Sequence, residues 1–540
     1  MSEGSSSSAP TPRGAPHRWW ALATLSFSLL VVMCDTSVAN VALPAIVRGT
    51  DATSAQLQWI VNSYVIVFAG LIMTAGALGD RFGRKGVMLI GYGVFGVASV
   101  VASVADGASQ IVVARALLGV GAALILPATL SILPTIFPDE SERARAYGVW
   151  AGASGVGSVL GPTLGGFLVD NLGWRAIFWI NLPFLALVVP AALLLVPRSR
   201  ADHPVPLDPF GALLSTAGLG VTLWGVIGAP GRGWASTTTI ATLIFGFALL
   251  AAFVAHELRT PAPMLDLRVF RSTVLGAAVI AIGIGYLCLG SSLFYTTQYL
   301  QFVLDWPAMT AGVAVIPFAV AVGISAPASA RFSRRWGLRM VTVTGLALIT
   351  VGLGLQAALA DGKTYTSTFL LLVFAGVGIG LGTAQATRVI IACLPENRAG
   401  VASAINNLTH EVGVAIGIAA LGTLLATGYH TRLDLDTIGA ALTPEQAERA
   451  QDGISGALRT ADQLGPAGAG LADAARSAFV DAMTSGLWVA AVGALLATVL
   501  AFRLPRRAPG DDPVLVVEEP VTEDTEDTDA GRRKVQADTA

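Results

Sequence analysis

Charged residues are scarce in this sequence. Aspartate, glutamate, lysine and arginine make up 13% of its 540 residues, whereas about 25% is typical of soluble proteins. The formal net charge is −2, which gives the chain no general basic field for nucleic acid. Hydrophobic residues make up 54% of the chain, more than a soluble domain of this length could bury. The composition therefore predicts a membrane protein without a nucleic-acid partner.

Cysteine and catalytic motifs are also nearly absent. Cys34, Cys288 and Cys393 lie far apart in apolar runs, and we interpret them as small buried hydrophobic residues. The sequence has no HExxH motif, no GxSxG motif in a loop and no phosphate-binding loop. We therefore predict no enzymatic activity, no catalytic residue, no metal and no cofactor. A membrane receptor or a membrane-embedded enzyme is the alternative of a different class.

Long apolar runs are abundant. A hydrocarbon core about 30 Å thick needs about 20 apolar residues in a helix. Suitable runs fall at 19–44, 56–78, 87–105, 109–133, 146–169, 176–197, 209–228, 237–256, 273–299, 308–329, 339–359, 367–394, 399–426 and 481–503. These runs predict an all-α membrane protein with about 14 transmembrane helices.

Basic residues are unevenly distributed between the predicted loops. One alternate set of short loops carries Arg81, Arg84, Lys85, Arg143, Arg145, Arg198, Arg200, Arg259, Arg268, Arg271, Arg331, Arg334, Arg335 and Arg339. The opposite set carries only Arg48, Arg175, Arg232 and Lys363. Because basic loops stay inside the cell, we predict that the first set and both termini are cytoplasmic. Arginine in place of lysine is typical of a GC-rich bacterial genome, so the expected location is a bacterial cytoplasmic membrane.

A short basic sequence occurs twice. DRFGRK at 80–85 follows the second span, and ARFSRR at 330–335 follows the tenth. We therefore predict an N-terminal six-helix bundle at 19–200, two inserted transmembrane helices at 201–260 and a C-terminal six-helix bundle at 261–503. Transporters built from repeats bind their substrate near the midplane, at the interface between the repeats.

The segments outside the spans are polar. Residues 1–18 lack the order of a cleaved signal peptide, and residues 504–540 are acidic; we predict that both are disordered cytoplasmic tails. The segment 427–480 is a long extracytoplasmic loop in this scheme. Within it, Thr443 followed by Pro444 predicts the start of a short helix.

Several motifs resemble those of the major facilitator superfamily. GALGDRFGRK at 76–85 is similar to the signature loop between its second and third helices. Motifs typical of its fourteen-helix drug:proton antiporters are DTSVANVALP at 35–44, LQWIVNSY at 57–64, GSVLGPTLGG at 157–166, WRAIFWINLP at 174–183, ELRTPAPMLDLRVF at 257–270 and QYLQ at 298–301. The resemblance covers 19–503 and implies the major facilitator fold, with two additional helices between two six-helix bundles. That subfamily includes exporters of quaternary ammonium compounds and of actinomycete antibiotics.

The signature loop is the first candidate site. It contains Gly76, Gly79, Asp80, Arg81, Gly83, Arg84 and Lys85. The resemblance implies a cytoplasmic gate in which Asp80 pairs with basic residues; a basic loop that only sets the topology is the alternative. The second copy has Ala330 in place of the aspartate, so we expect the gate contact in the first half alone.

The fifth span carries a second motif, formed by Gly157, Gly161, Pro162, Gly165 and Gly166. Glycine at every fourth position gives a stripe for close helix packing, and proline favours a kink. The resemblance implies an antiporter in which this motif seals the interface between the halves. Ordinary packing of helices through glycine is the alternative.

Three charged residues are predicted inside the membrane. At about 1.5 Å per residue, Asp35 lies about 22 Å above the inner face, and Arg115 comes at about the same height. RALLGVGAA at 115–123 resembles the proton-coupling motif of the family, with Leu118 where glutamine is usual. Charges at such depths are costly and mark functional sites, so we predict proton coupling by Asp35, Arg115 and Glu411. In the alternatives, Asp35 and Arg115 lie near the outer interface, and Glu411 binds a cation or is neutralised by His410 or an arginine.

Polar and aromatic residues near these charges are candidates for the substrate cavity. They are Trp59, Asn62, Tyr64, Gln298, Tyr299, Gln301, Asn407 and His410. Such side chains suit flat, lipophilic and often cationic ligands, although tryptophan and tyrosine also mark membrane interfaces.

The predicted function is proton-coupled export of lipophilic drugs or antibiotics from the cytoplasm by alternating access. Export of a single endogenous metabolite on the same scaffold is the alternative. The predicted partners are a small lipophilic substrate, protons and the lipid bilayer, and we expect a monomer.

Overall fold

The computed structural model describes residues 17–200, 207–261, 263, 267–268, 272–362, 364–393, 399–435 and 442–506. These residues contain helices joined by turns, and none of them lies in a β-strand. The apolar runs explain this arrangement, because a backbone inside a bilayer can pair its polar groups only within helices or closed barrels. The predicted tails lie outside the described residues, apart from a few positions at their inner ends.

The helices fall into three consecutive groups. The first group is α1 Arg18–Thr50, α2 Ser54–Phe82, α3 Arg84–Ser103, α4 Ala108–Ile136, α5 Glu140–Leu172, α6 Ala176–Trp179 and α7 Asn181–Leu195. The inserted pair is α8 Pro209–Arg232 and α9 Thr237–Arg259. The second group is α10 Thr273–Gln298, a π-helical turn Tyr299–Val303, α11 Ala308–Ala314, α12 Ile316–Trp336, α13 Leu338–Leu359, α14 Tyr365–Ala392, α15 Ala399–Arg432, α16 Pro444–Asp452, α17 Ile454–Leu464 and α18 Ala469–Ala501.

Thirteen helical segments of the described chain are long and apolar enough to cross a membrane. The helix α5 is not among them, although it has 33 residues and packs along α1 and α11. The predicted span at 146–169 lies within this helix.

The long loop predicted at 427–480 is more helical than expected. The helix α15 continues to Arg432, and α18 begins at Ala469. The helix α16 begins after Thr443, whose hydroxyl accepts a hydrogen bond from the backbone N–H of Gln446 at 3.3 Å. The Gln446 side chain in turn accepts from the backbone N–H of Thr443 at 3.0 Å, which completes a capping box. We call α16 and α17 together the strap.

Hydrogen bonds between turns identify two opposite faces of the bundle. The backbone N–H of Leu338 donates to the carbonyl of Arg506 at 2.9 Å. This contact lies at the face where the described chain begins and ends, which we call the terminal face. At the opposite, distal face, the backbone N–H of Ser54 donates to Oδ2 of Asp452 at 3.1 Å. The strap therefore touches the first helix group at the distal face.

The two helix groups meet mainly along two pairs of helices. The helix α5 packs against α11, and α2 packs against α15. The inserted helix α8 contacts both α2 and α15. It therefore lies beside the contact between the groups and touches both of them.

Candidate functional site

Asp35 on α1 and Arg115 on α4 form an ion pair in the interior of the first helix group. Nη1 of Arg115 lies 2.7 Å from Oδ2 of Asp35, and the exposed fractions of the two side chains are 1% and 2%. Two opposite charges that are removed from water stabilise each other, because loss of one partner leaves the other buried and uncompensated.

Asn181, at the start of α7, completes the environment of Asp35. Its Nδ2 donates to Oδ1 of Asp35 at 2.8 Å and to Oγ of Ser99 at 3.1 Å. Our sequence reasoning did not single out this residue. The sequence feature that could have indicated it is a polar side chain inside the apolar motif at 174–183.

Arg115 makes two further contacts on α2. Its Nε donates to the carbonyl of Ile60 at 3.1 Å, and its guanidinium carbon lies 4.4 Å from the ring centroid of Tyr64. Leu118, at the position where the family has glutamine, is fully buried. Tyr64, which we predicted in the substrate cavity, thus contacts the predicted coupling pair directly.

Glu411 lies on α15 in the second helix group and is partly exposed. Its carboxylate makes no hydrogen bond or ion pair with the residues that the structure describes. It lies within electrostatic range of Tyr64 and Tyr286. The ring of Tyr286 stacks on that of His410 at 3.8 Å between centroids and an angle of 23°. A carboxylate without a partner among the described residues, next in sequence to this stacked ring pair, can take up a proton or an organic cation.

The predicted cavity residues on α2 and α15 differ in accessibility. Asn62 is completely buried, Trp59 is partly buried and Asn407 is exposed. The side chain of Ser403, which shares a helix face with Asn407 and Glu411, lies outside the described side chains. These helices face each other across the boundary between the groups.

The predicted cavity residues near the π-helical turn point in different directions. Gln298 donates to a carbonyl one turn earlier in α10 at 3.1 Å. The hydroxyl of Tyr299 lies 3.5 Å from the carbonyl of Ala360. Nε2 of Gln301 donates to the carbonyl of Val41 on α1 at 2.9 Å. The structure therefore does not bring these three side chains together. Gln301 forms a hydrogen bond with the first helix group, and Gln298 lines a cavity with Gln58 of that group.

The signature loop at 76–85 ties helices of the first group together at the terminal face. Arg84 pairs with Asp80, with 2.8 Å between Nη2 and Oδ1, and its Nη1 donates to the carbonyl of Ser131 on α4 at 2.7 Å. Lys85 donates to the carbonyls of Leu193 and Val196 at 2.8 Å each. Gly83 has a φ of 105°, which favours glycine.

The other members of this loop have no such ties to α4 or α7. Gly76 would place a Cβ 3.7 Å from the Pro127 side chain, and Gly79 would place one 3.7 Å from Arg84; both are ordinary contacts. The guanidinium of Arg81 lies 5.8 Å from the ring centroid of Phe82. Close approach through these two glycines is therefore not what positions the loop.

The glycine motif of α5 packs against α1. A Cβ on Gly157 would lie 2.8 Å from the carbonyl oxygen of Leu30, and one on Gly161 would lie 2.6 Å from Cβ of Ser37. Gly165 likewise faces Val38 at 3.0 Å. No side chain fits at these positions without movement of a helix, so the stripe fixes the distance between α1 and α5.

The same motif also touches the second helix group near the distal face. A Cβ on Gly166 would overlap the backbone of Met309, and one on Gly312 would overlap the carbonyl of Pro162. One turn further along α5, Asp170 accepts a hydrogen bond from the backbone N–H of Met309 at 2.7 Å. Asp170 was not among the predicted site residues, and its partner lies 139 residues away in the sequence.

Comparison with known proteins places this geometry among membrane transporters. A family model described as the Major Facilitator Superfamily matches residues 25–418. The chain is 34% identical to the multidrug efflux pump LfrA of Mycolicibacterium smegmatis, over 93% of this chain and 99% of the relative. It is 31% identical to the tetracenomycin C resistance and export protein of Streptomyces glaucescens, over 93% of each. A crystal structure of a bacterial homologue of the lysosomal transporter Spinster covers 91% of this chain and 97% of its own, with 17% identity and a TM-score of 0.63.

Proposed function

The chain belongs to the major facilitator superfamily, and from this premise we propose that it exports lipophilic drugs or antibiotics in exchange for protons. Relatives with export or efflux functions align over nearly the whole chain. The observation that carries the proton coupling is the buried ion pair between Asp35 and Arg115. A transporter moves its substrate unchanged, so we assign no catalytic residue.

The charges of the loops support the proposed orientation of the chain in the membrane. Arg81, Arg84, Arg334 and Arg335 lie at helix ends on the terminal face, which the positive-inside rule assigns to the cytoplasm. The distal face is then the outside of a bacterial cell. The contacts that we describe between the helix groups, such as Asp170 with Met309, lie near the distal face.

Asp35 is the proposed site of the transported proton. Protonation removes its charge and the ion pair, while Arg115 keeps the carbonyl of Ile60 and the ring of Tyr64. Because α1 and α4 are joined by the ion pair, its loss lets these helices change their relative position. Release of the proton to the cytoplasm restores the pair, and the cycle follows the rocking of the two helix groups.

Glu411 is the proposed second acid, on the opposite helix group. Its carboxylate has no partner among the described residues, and the neighbouring His410 ring stacks on Tyr286. A proton or one positive charge on a substrate would neutralise it equally well. This position supports recognition of cationic substrates beside proton uptake.

A reconstituted vesicle assay tests the coupling. With an imposed pH gradient and a panel of cationic and neutral antibiotics, the wild-type chain is expected to accumulate substrate against its gradient. Asp35→Asn keeps the shape and a hydrogen-bonding side chain, so we expect a folded protein whose uphill transport falls at least about tenfold. Asp106→Asn, at a side chain that is 91% exposed, is the matched control. Full uphill transport by the Asp35 variant would contradict the proposal.

Export of a single endogenous metabolite is the alternative that the same scaffold supports. Resistance phenotypes across a drug panel, together with metabolite profiles of a deletion strain, would distinguish it from drug export. In either case one chain contains both helix groups, so we propose that a monomer in the bilayer is sufficient.

A further inference from the structure

Three amide side chains in the contact between the helix groups are buried but incompletely paired. The exposed fractions of Gln58, Asn62 and Gln301 are 2%, 0% and 3%. Both polar atoms of the Asn62 side chain, and the amide oxygens of Gln58 and Gln301, have no hydrogen-bond partner among the described protein groups. Buried polar groups in native proteins are nearly always paired. Three exceptions in one region therefore require a physical reason.

These amides lie where the first helix group meets the second. A Cβ on Gly422 of α15 would lie 2.8 Å from the amide carbon of Gln58, so this side chain rests directly on the opposite helix. Asn62 is four residues further along α2 and shares the same helix face, one turn deeper. Gln301 reaches from the π-helical turn to the carbonyl of Val41 on α1 at 2.9 Å. All three therefore belong to the seam that must separate when the distal face opens.

We propose that Gln58, Asn62 and Gln301 line the route by which substrate leaves, and that their unpaired amides favour the opening of the distal face. In the closed state these atoms are buried without a hydrogen bond from the described protein groups, which raises the free energy of that state. Separation of the helix groups exposes them to water and to polar groups of the departing substrate. A group that is better solvated in one of two states shifts the equilibrium toward that state.

The bond from Gln301 to Val41 acts in the opposite direction. It joins the two helix groups directly and is lost on opening. The seam thus combines one contact that holds it closed with unpaired polar atoms that destabilise the closed state. A closed state of this kind is stable enough to form. Its free energy is also close enough to that of the open state for the distal face to open during each transport cycle.

Replacement of the amides by apolar side chains of similar size tests the proposal. Asn62→Leu preserves the branched shape and removes both unpaired atoms, and Gln58→Met removes the unpaired oxygen. Gln356→Met is the matched control. Gln356 is also completely buried with an unpaired oxygen, but its Nε2 faces Thr368 at 3.4 Å inside the second helix group. Its replacement should leave the equilibrium between the two states unchanged.

The distance between spin labels reports the state of the distal face. Ser109 at the start of α4 and Thr366 at the start of α14 are exposed positions near that face, and the labels require replacement of the native cysteines. In lipid nanodiscs at one pH, Asn62→Leu and Gln58→Met are each expected to lower the ratio of open to closed protein at least about fivefold. Gln356→Met is expected to match the wild type.

Transport kinetics provide the second measurement. We expect kcat for export to fall by a similar factor in the two seam variants, while KM for substrate from the cytoplasmic side does not rise and the melting temperature does not fall. These last two readouts distinguish a changed equilibrium from a damaged cavity or fold. If the two seam variants have the same label distance and kcat as Gln356→Met, the proposal is overturned. A shift of either seam variant toward the open state would also overturn it. If the wild type populates only the closed state without substrate, an unchanged kcat alone overturns it.

The exit direction in this inference rests on the proposed function, but the effect on the equilibrium does not. If the wild type shows no response to a pH gradient, proton coupling fails while the comparison of label distances stays valid. If transport is proton-coupled and the seam variants behave like the control, only the role of the amides fails.

Discussion

Arg115 and Asp35 join α4 to α1 with 2.7 Å between Nη1 and Oδ2, at a place where neither side chain is more than 2% exposed. On α7, Nδ2 of Asn181 donates a hydrogen bond to the second oxygen of the same carboxylate at 2.8 Å. Three helices of one bundle thus converge on a single acidic group. The pair that we propose for proton coupling is therefore also part of what holds the first helix group together.

The stability of this pair can be tested by a double-mutant cycle. Arg115→Leu leaves Asp35 buried without its partner, and we expect a loss of about 3–5 kcal/mol in the free energy of unfolding. The double variant with Asp35→Leu removes both charges and should recover most of that loss. Chemical unfolding in detergent at pH 8 measures the cycle. A double variant that is less stable than Arg115→Leu would contradict the ion-pair interpretation.

Glu411 should determine how strongly the protein prefers cationic over neutral substrates. Its carboxylate has no ion-pair partner in the described chain, so Glu411→Gln removes an attraction that only a cation experiences. We expect export of a monovalent aromatic cation such as ethidium to fall at least about tenfold, with a neutral antibiotic changed about twofold or less. Glu445→Gln, at an exposed acid of the strap, is the control. Equal losses for both substrates would indicate a role in protonation rather than in cation binding.

The helices and the approximate depth of the charges could be predicted from the sequence. Apolar runs of about 20 residues have few alternatives in a bilayer, and a fixed rise per residue gives Asp35 and Arg115 similar heights. Asn181 could not be predicted in the same way. Its position beside Asp35 depends on where α7 packs against α1, and hydropathy carries no information about that contact.

The residues around QYLQ show a second limit. We predicted Gln298, Tyr299 and Gln301 in the substrate cavity because polar and aromatic side chains suit lipophilic and often cationic ligands. The chain forms a π-helical turn at Tyr299–Val303, which changes the angle between successive side chains. Tyr299 therefore points toward Ala360, whereas Gln301 points toward α1. No pattern of apolar and polar residues marks such a turn.

The contact between Gly312 and Pro162 should be required for closure of the distal face. A Cβ at Gly312 would overlap the Pro162 carbonyl, so Gly312→Ala must separate α11 from α5. Overpacking of this kind costs about 1–3 kcal/mol, and we expect the labels at Ser109 and Thr366 to shift toward the open state by a corresponding factor. Gly323→Ala, at a glycine with open space around it, is the matched control. A closed distal face in Gly312→Ala would show that the overlap is relieved locally.

We predict that the strap must detach from the first helix group during transport. Asp452 and Ser54 join it to the start of α2, while α15 and α18 anchor it to the second group. A Cβ on Gly453 would lie 3.9 Å from Cβ of Ser54, within the range of about 3.5–4.5 Å for a disulfide. The backbone there is extended, with a φ of 170°, so cysteine fits.

A disulfide between these two positions tests this prediction. In a chain without native cysteines, Ser54→Cys with Gly453→Cys should form a bond that lowers export to about a tenth or less. A reductant should restore export, and each single variant under the same oxidant should keep it. Normal export with the bond shown intact by mass spectrometry would mean that the helix groups separate without moving the strap.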